Sequence, residues 1–489
     1  MPFPERAPSS ARAPNQVSAP NPKRWSILIA VMVASVMGPI DGSVINVAMP
    51  TLASAFRVDL STVSWVSMAY LLVLGSLILT YGRLGDMYGY KRIFLLGVAI
   101  FTVASAACAL SPSIWWLIVS RAVQAAGAGM FMAMSSAIIT ATFPPYERGR
   151  ALGINGMIIA AGLALGPALG GLLLMVFSWH SIFLINLPIG LVSLYLIQRV
   201  IPEAAEHKRQ SFDLTGATLG FIALSAVLLA ASYGEEWGWV SPSTLALTGV
   251  FAVGLVAFIW WERRVPEPML DLSLFKNPAF SAANFSALMN FIAQSSAIFV
   301  VPFYLQQVLR YSPQQAGLVL TVSPAIVLFT APLSGSLSDR FGTRWLSAAG
   351  QGLVALGYVL LYTMPPGSSG VAIAWRFAFI GLGVGIFMSP NSSTVMGSCP
   401  RHRLGVGSGV LATVRNVGMV LGVAIATAVF TWRRTATLAA LGEAGSFASG
   451  LRAAFLVAAC LAAAGALVSS IRSDSWREAG LEPCPAPKD

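Results

Sequence analysis

One carboxylate lies deep inside an apolar segment near the start of the chain. Asp41, within Gly38-Pro-Ile-Asp41-Gly, is the sole carboxylate that we place deep in any apolar segment of the sequence. A charged group inside a membrane costs about 3 kcal/mol or more, so such a residue faces a partner or a water-filled cavity. The alternative is a hydrogen bond that only packs two helices. We interpret Asp41 as a residue that binds and releases a proton.

Arg121 is the cation that we expect to control this carboxyl group. An arginine keeps its proton in a protein, and a guanidinium beside a carboxylate favours the ionised carboxylate until the pair separates. Gln124 shares the same helix face three residues later. A long side chain that reaches the membrane interface is the alternative for Arg121, because it follows the start of its segment closely. We predict that Asp41 and Arg121 together carry proton coupling.

Polar side chains inside apolar segments predict a substrate cavity. Its predicted lining residues are Asn46, Gln124, Asn155, Gln294 and Arg415. Arg415 contacts either a backbone carbonyl or an anionic group of the substrate, and the sequence leaves both open. Arg376 begins a segment, and we interpret it as an interfacial residue.

A stripe of small residues occurs in Gly162-Leu-Ala-Leu-Gly166-Pro167-Ala-Leu-Gly170-Gly171. Glycines at a four-residue spacing make one face of a helix flat, which lets a second helix approach closely. Pro167 removes one backbone hydrogen bond and permits a kink. We predict that Gly162, Gly166, Pro167, Gly170 and Gly171 form a hinge or a sliding seam, with ordinary glycine packing as the alternative.

A short segment, Gly82-Arg-Leu-Gly-Asp86-Met-Tyr-Gly89, recurs as Gly335-Ser-Leu-Ser-Asp339-Arg-Phe-Gly342. Glycine permits a sharp turn, and a charged side chain near a helix end interacts with the helix dipole. We therefore predict two loops in which Asp86 and Arg92 latch neighbouring helix ends. A loop that only carries positive charge on the cytoplasmic side is the alternative. The residues of the two loops are Gly82, Asp86, Gly89, Arg92, Asp339 and Gly342.

Composition indicates which elements must position these residues. Of the 489 residues, 56% are hydrophobic and 10% are charged, whereas soluble proteins carry roughly 25% charged residues. A membrane-spanning helix needs about 20 apolar residues. We predict an all-α integral membrane protein with fourteen transmembrane helices, at 25–49, 62–81, 93–110, 114–139, 151–174, 181–200, 213–231, 243–261, 280–305, 317–337, 345–363, 371–397, 405–430 and 451–471.

Three features recur at nearly constant spacing, which indicates two homologous halves. The recurring segment, Arg121 with Arg376, and Gly162 with Gly418 are separated by 253 to 256 residues. Gln294 stands at the position equivalent to Asp41, so proton chemistry belongs to the first half. Parallel halves with a site at their interface are typical of transporters. The predicted organisation is a disordered cytoplasmic tail (1–24), a six-helix bundle (25–205), an inserted helix pair (206–265), a second six-helix bundle (266–475) and a cytoplasmic tail (476–489).

The net charge of +11 reflects topology rather than nucleic-acid binding, because the basic residues form short groups between apolar runs. Most of them fall on one side of the membrane if both termini are cytoplasmic. We expect a multi-pass protein of the cell (inner) membrane. The three histidines are scattered, the four cysteines lack metal-ligand spacing, and no phosphate-binding loop occurs. We therefore expect no enzyme activity, no cofactor and no metal site.

These motifs resemble those of the fourteen-helix drug:proton antiporters of the major facilitator superfamily (EmrB/QacA type). The resemblance covers about residues 25–475. Its carriers are Asp41 to Pro50, Gly82 to Arg92, Arg121 to Gly129, Gly162 to Gly171, Trp179 to Gly190, and Glu262 to Phe275. It implies alternating access, proton coupling through Asp41 and Arg121, and gating by the Gly82 loop. Met87 and Tyr90 replace basic residues that are usual in that loop, and Ala125 replaces a usual glycine, which leaves the gating details open.

We expect a proton-coupled antiporter that exports small lipophilic compounds. No second carboxylate lies within the membrane, so dications are disfavoured as substrates. The alternative is a dedicated exporter of a metabolite, lipid or natural product, or a nutrient importer, with the same fold. A non-transporting sensor would need a sizeable soluble domain. Expected partners are the substrate, protons, membrane lipid and, in a host with two membranes, a periplasmic adaptor, whereas nucleic acid is not expected.

Overall fold

The computed structural model describes residues 21–202, 211–365 and 368–471. Most of the predicted N-terminal tail, the predicted tail 476–489 and the start of the predicted inserted unit lie outside these residues. The described chain is helical, without strands. The helices are α1 (Arg24–Ser35), α2 (Met37–Phe56), α3 (Leu60–Tyr88), α4 (Tyr90–Ala109), α5 (Ile114–Thr142), α6 (Pro145–Val176), α7 (Ser181–Leu184), α8 (Asn186–Val200), α9 (Leu214–Trp237), α10 (Pro242–Glu262), α11 (Pro278–Phe303), α12 (Pro313–Phe341), α13 (Arg344–Tyr362), α14 (Gly370–Gly397) and α15 (Leu404–Ile471).

Every predicted transmembrane segment coincides with a helix. Within the described residues, 13 helical segments are long and apolar enough to cross a membrane. The remaining predicted segment, 280–305, corresponds to α11, which has 26 residues. Among the described residues, the predicted all-α class is confirmed.

Two segments differ from their predicted form. The first is divided into α1 and α2 at Val36, because Pro39 has no amide hydrogen with which to bond the carbonyl of Ser35. The last two are joined in α15, where helix fills the predicted loop 431–450 and only Gly442, with φ of 66°, interrupts it. A left-handed backbone favours glycine, so this interruption falls where the sequence permits it.

The helices pack as two bundles with one pair against their junction. Apolar side chains such as Phe94 and Phe131 form a core among α1 to α8, while Val354, Tyr358 and Phe455 belong to a core among α11 to α15. The bundles meet where α6 contacts α12 and where α3 contacts α15. Helices α9 and α10 pack together, and α9 contacts both α3 and α15. The residue boundaries of the units stay a prediction.

Side-chain caps fix where several helices begin. Asp59, Ser113 and Ser241 each accept a hydrogen bond from the backbone amide three residues later, at 3.3 Å. Ser312 and Gln315 form a reciprocal capping box at the start of α12. These caps satisfy amide groups that would otherwise lack partners at the helix ends.

Candidate functional site

Asp41 lies at the centre of a buried polar network inside the first bundle. Its side chain is buried, and Oδ2 pairs with Nη1 of Arg121. Oδ1 accepts hydrogen bonds from Nε2 of Gln124 at 3.0 Å and from Nδ2 of Asn186 at 2.9 Å. The carboxylate therefore has three side-chain donors, supplied by α5 and α8, around a group carried by α2.

The Arg121 guanidinium is enclosed on its other sides. It is 1% exposed, and its Nη1 also donates to Oε1 of Gln124 at 2.6 Å. Its Nε donates to the carbonyl of Val66 at 3.3 Å, and its centre lies 4.2 Å from the ring centroid of Tyr70. The sequence alternative of an arginine that reaches the membrane interface does not fit this burial. The charge of Arg121 is compensated inside the protein by Asp41.

Gln124 and Asn186 complete this network in ways that the sequence only partly indicated. Gln124 was expected in the substrate cavity, but it is fully buried and also donates to Oγ of Ser105 at 2.8 Å. In the sequence, Asn186 stands out only as a member of the stretch Trp179 to Gly190, which resembles the family pattern. The available signal was its type, since an amide at the first turn of an apolar helix needs a polar partner. The proton-coupling assignment of Asp41 and Arg121 stays a prediction.

The glycine stripe of α6 packs against the helix that carries Asp41. A Cβ atom on Gly162 would lie 3.0 Å from Cβ of Pro39, and one on Gly170 would lie 3.2 Å from Cγ1 of Val44. A Cβ atom on Gly166 would lie 2.7 Å from Cβ of Ser43. Gly171 has open space in the corresponding position, so it does not contribute to this contact. The stripe fixes α2 on both sides of Asp41.

The two predicted gating loops are largely the ends of α3 and α12, with Gly89 and Gly342 just after the helices, and they make matching contacts between the bundles. Oδ1 and Oδ2 of Asp86 accept hydrogen bonds from the amides of Gly405 and Val406, both at 2.8 Å, at the start of α15. Each carboxylate thus binds a helix of the opposite bundle, because Asp339 accepts from the amides of Gly149 and Arg150 in α6 at 2.8 and 2.9 Å. We call these two contacts the latches, and the end of the molecule where they lie the latch end.

The other predicted gating residues, and Tyr90, lie close to the latches in sequence but differ in what they contact. The hydroxyl of Tyr90, one of the departures from the family pattern, donates to Oδ1 of Asp86 at 2.7 Å. A Cβ atom on Gly82 would lie 3.3 Å from Cα of Gly409, so α3 and α15 touch through backbone there. Gly89 and Gly342 end their helices with φ of 97° and 88°. Arg92 is exposed on α4.

A cavity lies between the bundles, directly beside the latches. The cavity volume is about 80 Å³ in this conformation, within a larger space that opens to solvent. Both bundles line it, and among its residues are Ser35, Met132, Ser135, Asn155, Phe291, Phe387, Ser389, Asn391, Ser408 and Arg415. Ser389 also donates to the carbonyl of Gly149 at 2.6 Å, which joins the cavity floor to a latch helix.

The predicted cavity residues divide into two groups. Asn155 and Arg415 line the cavity. Gln124 belongs to the Asp41 network, Asn46 is exposed on α2, and Gln294 is half-buried on α11; none of these three is among the residues that line this cavity. Arg376 donates from Nε to the carbonyl of Leu360 at 2.9 Å, in agreement with a structural role.

Comparison with known proteins gives one family. A model of the Major Facilitator Superfamily matches residues 31–423 and 283–483. The riboflavin transporter RibZ of Clostridioides difficile is 35% identical over 83% of this chain and 88% of that protein. The multidrug resistance protein Stp of Mycobacterium tuberculosis is 34% identical over 84% of this chain and 76% of that protein. The tetracenomycin C resistance and export protein of Streptomyces glaucescens is 30% identical over 82% and 75%, respectively.

Solved structures agree in fold. The human organic anion transporter MFSD10 (TETRAN) superposes with a TM-score of 0.67 and 15% identity, covering 92% of this chain and all of that one. The proton:xylose symporter XylE gives a TM-score of 0.64 with 15% identity, over 91% of this chain and 94% of that one. At such identities the likeness concerns the arrangement of helices alone.

The α2–α6 seam yields a matched pair of variants. We expect Gly166→Ala to push α2 away from α6, because the new methyl group meets Ser43, and to destabilise the protein by about 1–3 kcal/mol. Gly171→Ala, with open space at its Cβ position, is expected to unfold at the wild-type temperature or slightly above it. Thermal unfolding of both purified variants in one detergent tests this. Equal unfolding temperatures would show that the seam tolerates separation.

The latches yield a second prediction. Asp86→Asn and Asp339→Asn each remove a charge from a helix contact that is worth about 1 kcal/mol, so each variant should shift the equilibrium toward an open latch end about fivefold. Spin labels at Arg199 and Trp345, both exposed and in different bundles, measure the opening as a longer distance. Glu443→Gln, which alters an exposed carboxylate away from the latches, is the control. Identical distance distributions in all variants would contradict a latching role.

Proposed function

Because the chain belongs to the major facilitator superfamily, we propose that it is a proton-coupled antiporter that exports small lipophilic compounds by alternating access. In this proposal it belongs to the fourteen-helix type within the family. The observation that carries the proposal is the buried Asp41–Arg121 pair in one bundle beside a cavity shared by both bundles. The relatives named for multidrug resistance and tetracenomycin C export support the export direction.

The cycle that we propose starts from the conformation described above. The latch end is closed by Asp86 and Asp339, and we assign this end to the cytoplasm because the basic segments gather there. Both termini are then cytoplasmic. The cavity faces the opposite side, and opening the latches exposes it to the cytoplasm for loading. Such rocking of one bundle against the other around a central site is the transport motion expected of paired repeats.

Proton binding at Asp41 is the step that drives this motion in our proposal. A proton on Asp41 neutralises the carboxylate and leaves the buried Arg121 charge without its counter-ion, which is costly in a low-dielectric interior. The network must then rearrange, and Gln124 and Asn186, which hold Oδ1, move with it. Since α2 is fixed to α6 at the glycine stripe, a shift of Asp41 reaches a helix that lines the cavity and carries a latch contact.

A dedicated exporter of one metabolite or natural product is the second candidate. The observation that favours it is the polarity of the cavity, where Ser35, Ser135, Asn155, Ser389 and Asn391 contribute hydrogen-bonding groups. One relative is named as a transporter of riboflavin, which is a polar aromatic compound. A spectrum of transported compounds separates the two candidates, because a dedicated exporter responds to one chemical series and a multidrug exporter to several.

We propose that the protein acts in the cell (inner) membrane, where membrane lipid surrounds its helices. The transported species are protons and a lipophilic compound. In a host with two membranes, a periplasmic adaptor would carry the compound onward.

Proton flux in vesicles tests the proposal. Purified protein in liposomes that hold a pH-sensitive dye should give proton flux when lipophilic compounds are added under a pH gradient. Asp41→Asn should abolish this compound-dependent flux, because the amide does not exchange a proton in the cycle. The single variant should also unfold at a lower temperature, since removing one partner of a buried pair costs about 3–5 kcal/mol.

A charge-balanced variant controls for loss of structure. Asp41→Asn combined with Arg121→Gln leaves no unpaired buried charge, so it should unfold near the wild-type temperature while still giving no compound-dependent flux. Flux that persists in Asp41→Asn would remove Asp41 from the coupling mechanism. Wild-type protein that gives no flux with a broad panel, including flavins and aromatic polyketides, would contradict proton-coupled export.

A further inference from the structure

Arg415 lies at the wall of the central cavity and has no counter-ion in the part of the chain that the structure describes. It is half-buried on α15 and lines the space between the bundles. Among the described residues, no hydrogen bond or ion pair is found for its guanidinium. The carbonyl contact that the sequence left open for Arg415 is therefore not the one observed. This differs from Arg376, whose guanidinium binds two backbone carbonyls at 2.9 and 2.5 Å.

The charge of the cavity wall is consequently positive. The side chains that line the cavity include no aspartate or glutamate. The carboxylate of the Asp41 network is already paired with Arg121 and bonded by Gln124 and Asn186. A cationic substrate would meet the like charge of Arg415, and such an arrangement disfavours binding. An anionic group would supply the counter-ion that Arg415 lacks.

The remaining lining defines the body of the ligand. Phe291 and Phe387 border the cavity but are buried, whereas the half-buried Met132 and Met388 offer polarisable thioethers that contact aromatic rings well. The Oδ1 atom of Asn155 is buried and has no hydrogen-bond partner in the described chain, so it is a free acceptor for a hydroxyl or an N–H group. The cavity thus combines one cation, one unsatisfied acceptor and apolar faces.

We propose that the exported compounds are aromatic organic anions, in which a carboxylate, sulfonate, or ionised phenol or enol binds Arg415. This assignment rests on the proposed export function and specifies its substrate class. The guanidinium presents several donors in a fixed plane and binds a carboxylate through two of them. Asn155 orients the ligand through a hydroxyl or N–H group, and Met132 and Met388 contact its rings.

Binding of two dyes of opposite charge tests the substrate class without requiring transport. Fluorescein is an anionic xanthene, and tetramethylrhodamine methyl ester is a cationic xanthene of similar size. Fluorescence anisotropy with the purified full chain in detergent measures the affinity of each dye. We expect the dissociation constant of fluorescein to be lower than that of the rhodamine by about tenfold or more.

Substitutions at Arg415 locate the preference. Arg415→Gln should weaken fluorescein binding about tenfold or more and leave rhodamine binding equal or tighter, whereas Arg415→Lys should retain part of the preference for the anion. Arg376→Gln removes a similar charge from a residue that binds carbonyls, so it should leave both affinities unchanged. Thermal unfolding of each variant confirms that the compared proteins are folded.

The outcomes separate this inference from the proposed function. Tighter rhodamine binding, no measurable binding of either dye, or an equal loss of both dyes in Arg415→Gln would each overturn the anionic substrate class. Anion-selective binding at Arg415 without compound-dependent proton flux in liposomes would leave the substrate class standing and overturn proton-coupled antiport. Proton flux that is driven by cationic compounds alone would leave proton-coupled antiport standing and overturn the anionic substrate class.

Discussion

The buried ion pair between Asp41 and Arg121 is the interaction on which the rest of the structure depends. Both side chains are almost fully removed from solvent, and neither charge is tolerated there alone, because the cost of desolvation is repaid only by close pairing and further hydrogen bonds. Gln124 and Asn186 provide those bonds from two other helices. A change in the protonation of Asp41 is therefore a change in the packing of α2, α5 and α8, and this links an ion to a conformation.

Helix α6 connects that pair to the other working parts. At its start, the amides of Gly149 and Arg150 bind Asp339 of the opposite bundle. One turn later it contributes Asn155 to the cavity, and further along its glycines hold α2 on both sides of Asp41. The interruption of the first segment at Val36 separates Ser35, which lines the cavity, from Asp41. Helices α2 and α6 together thus carry Asp41, part of the cavity wall and a latch contact.

Features that depend on composition and spacing were predictable from sequence, and features that depend on helix rotation were not. All segments long enough to span a membrane were located, and Asp41 and Arg121 were selected because charges are rare in apolar runs. Asn46 and Gln294 are predicted to line the cavity, but neither does. Whether a residue faces the cavity depends on how its helix is rotated relative to its neighbours, and residue spacing does not give that rotation. Asn186 was missed for the same reason, since its value comes from proximity to α2. The loop expected at 431–450 is helix because its alanines favour helix and Gly442 supplies the only described interruption.

The positive cavity wall also bears on how much work the membrane can supply. Moving one elementary charge across 100 mV is worth about 2.3 kcal/mol. Exchange of one proton for a neutral compound moves one charge, and exchange for a monocation moves none. Exchange for a monoanion moves two charges in the favourable direction, or about 4.6 kcal/mol, which supports more than three decades of concentration gradient at about 1.4 kcal/mol per decade. In the proposed exchange of one proton per compound, the membrane potential therefore concentrates an anion far more effectively than a cation. Arg415, which has no counter-ion among the described residues, suits that charge balance at the cavity wall.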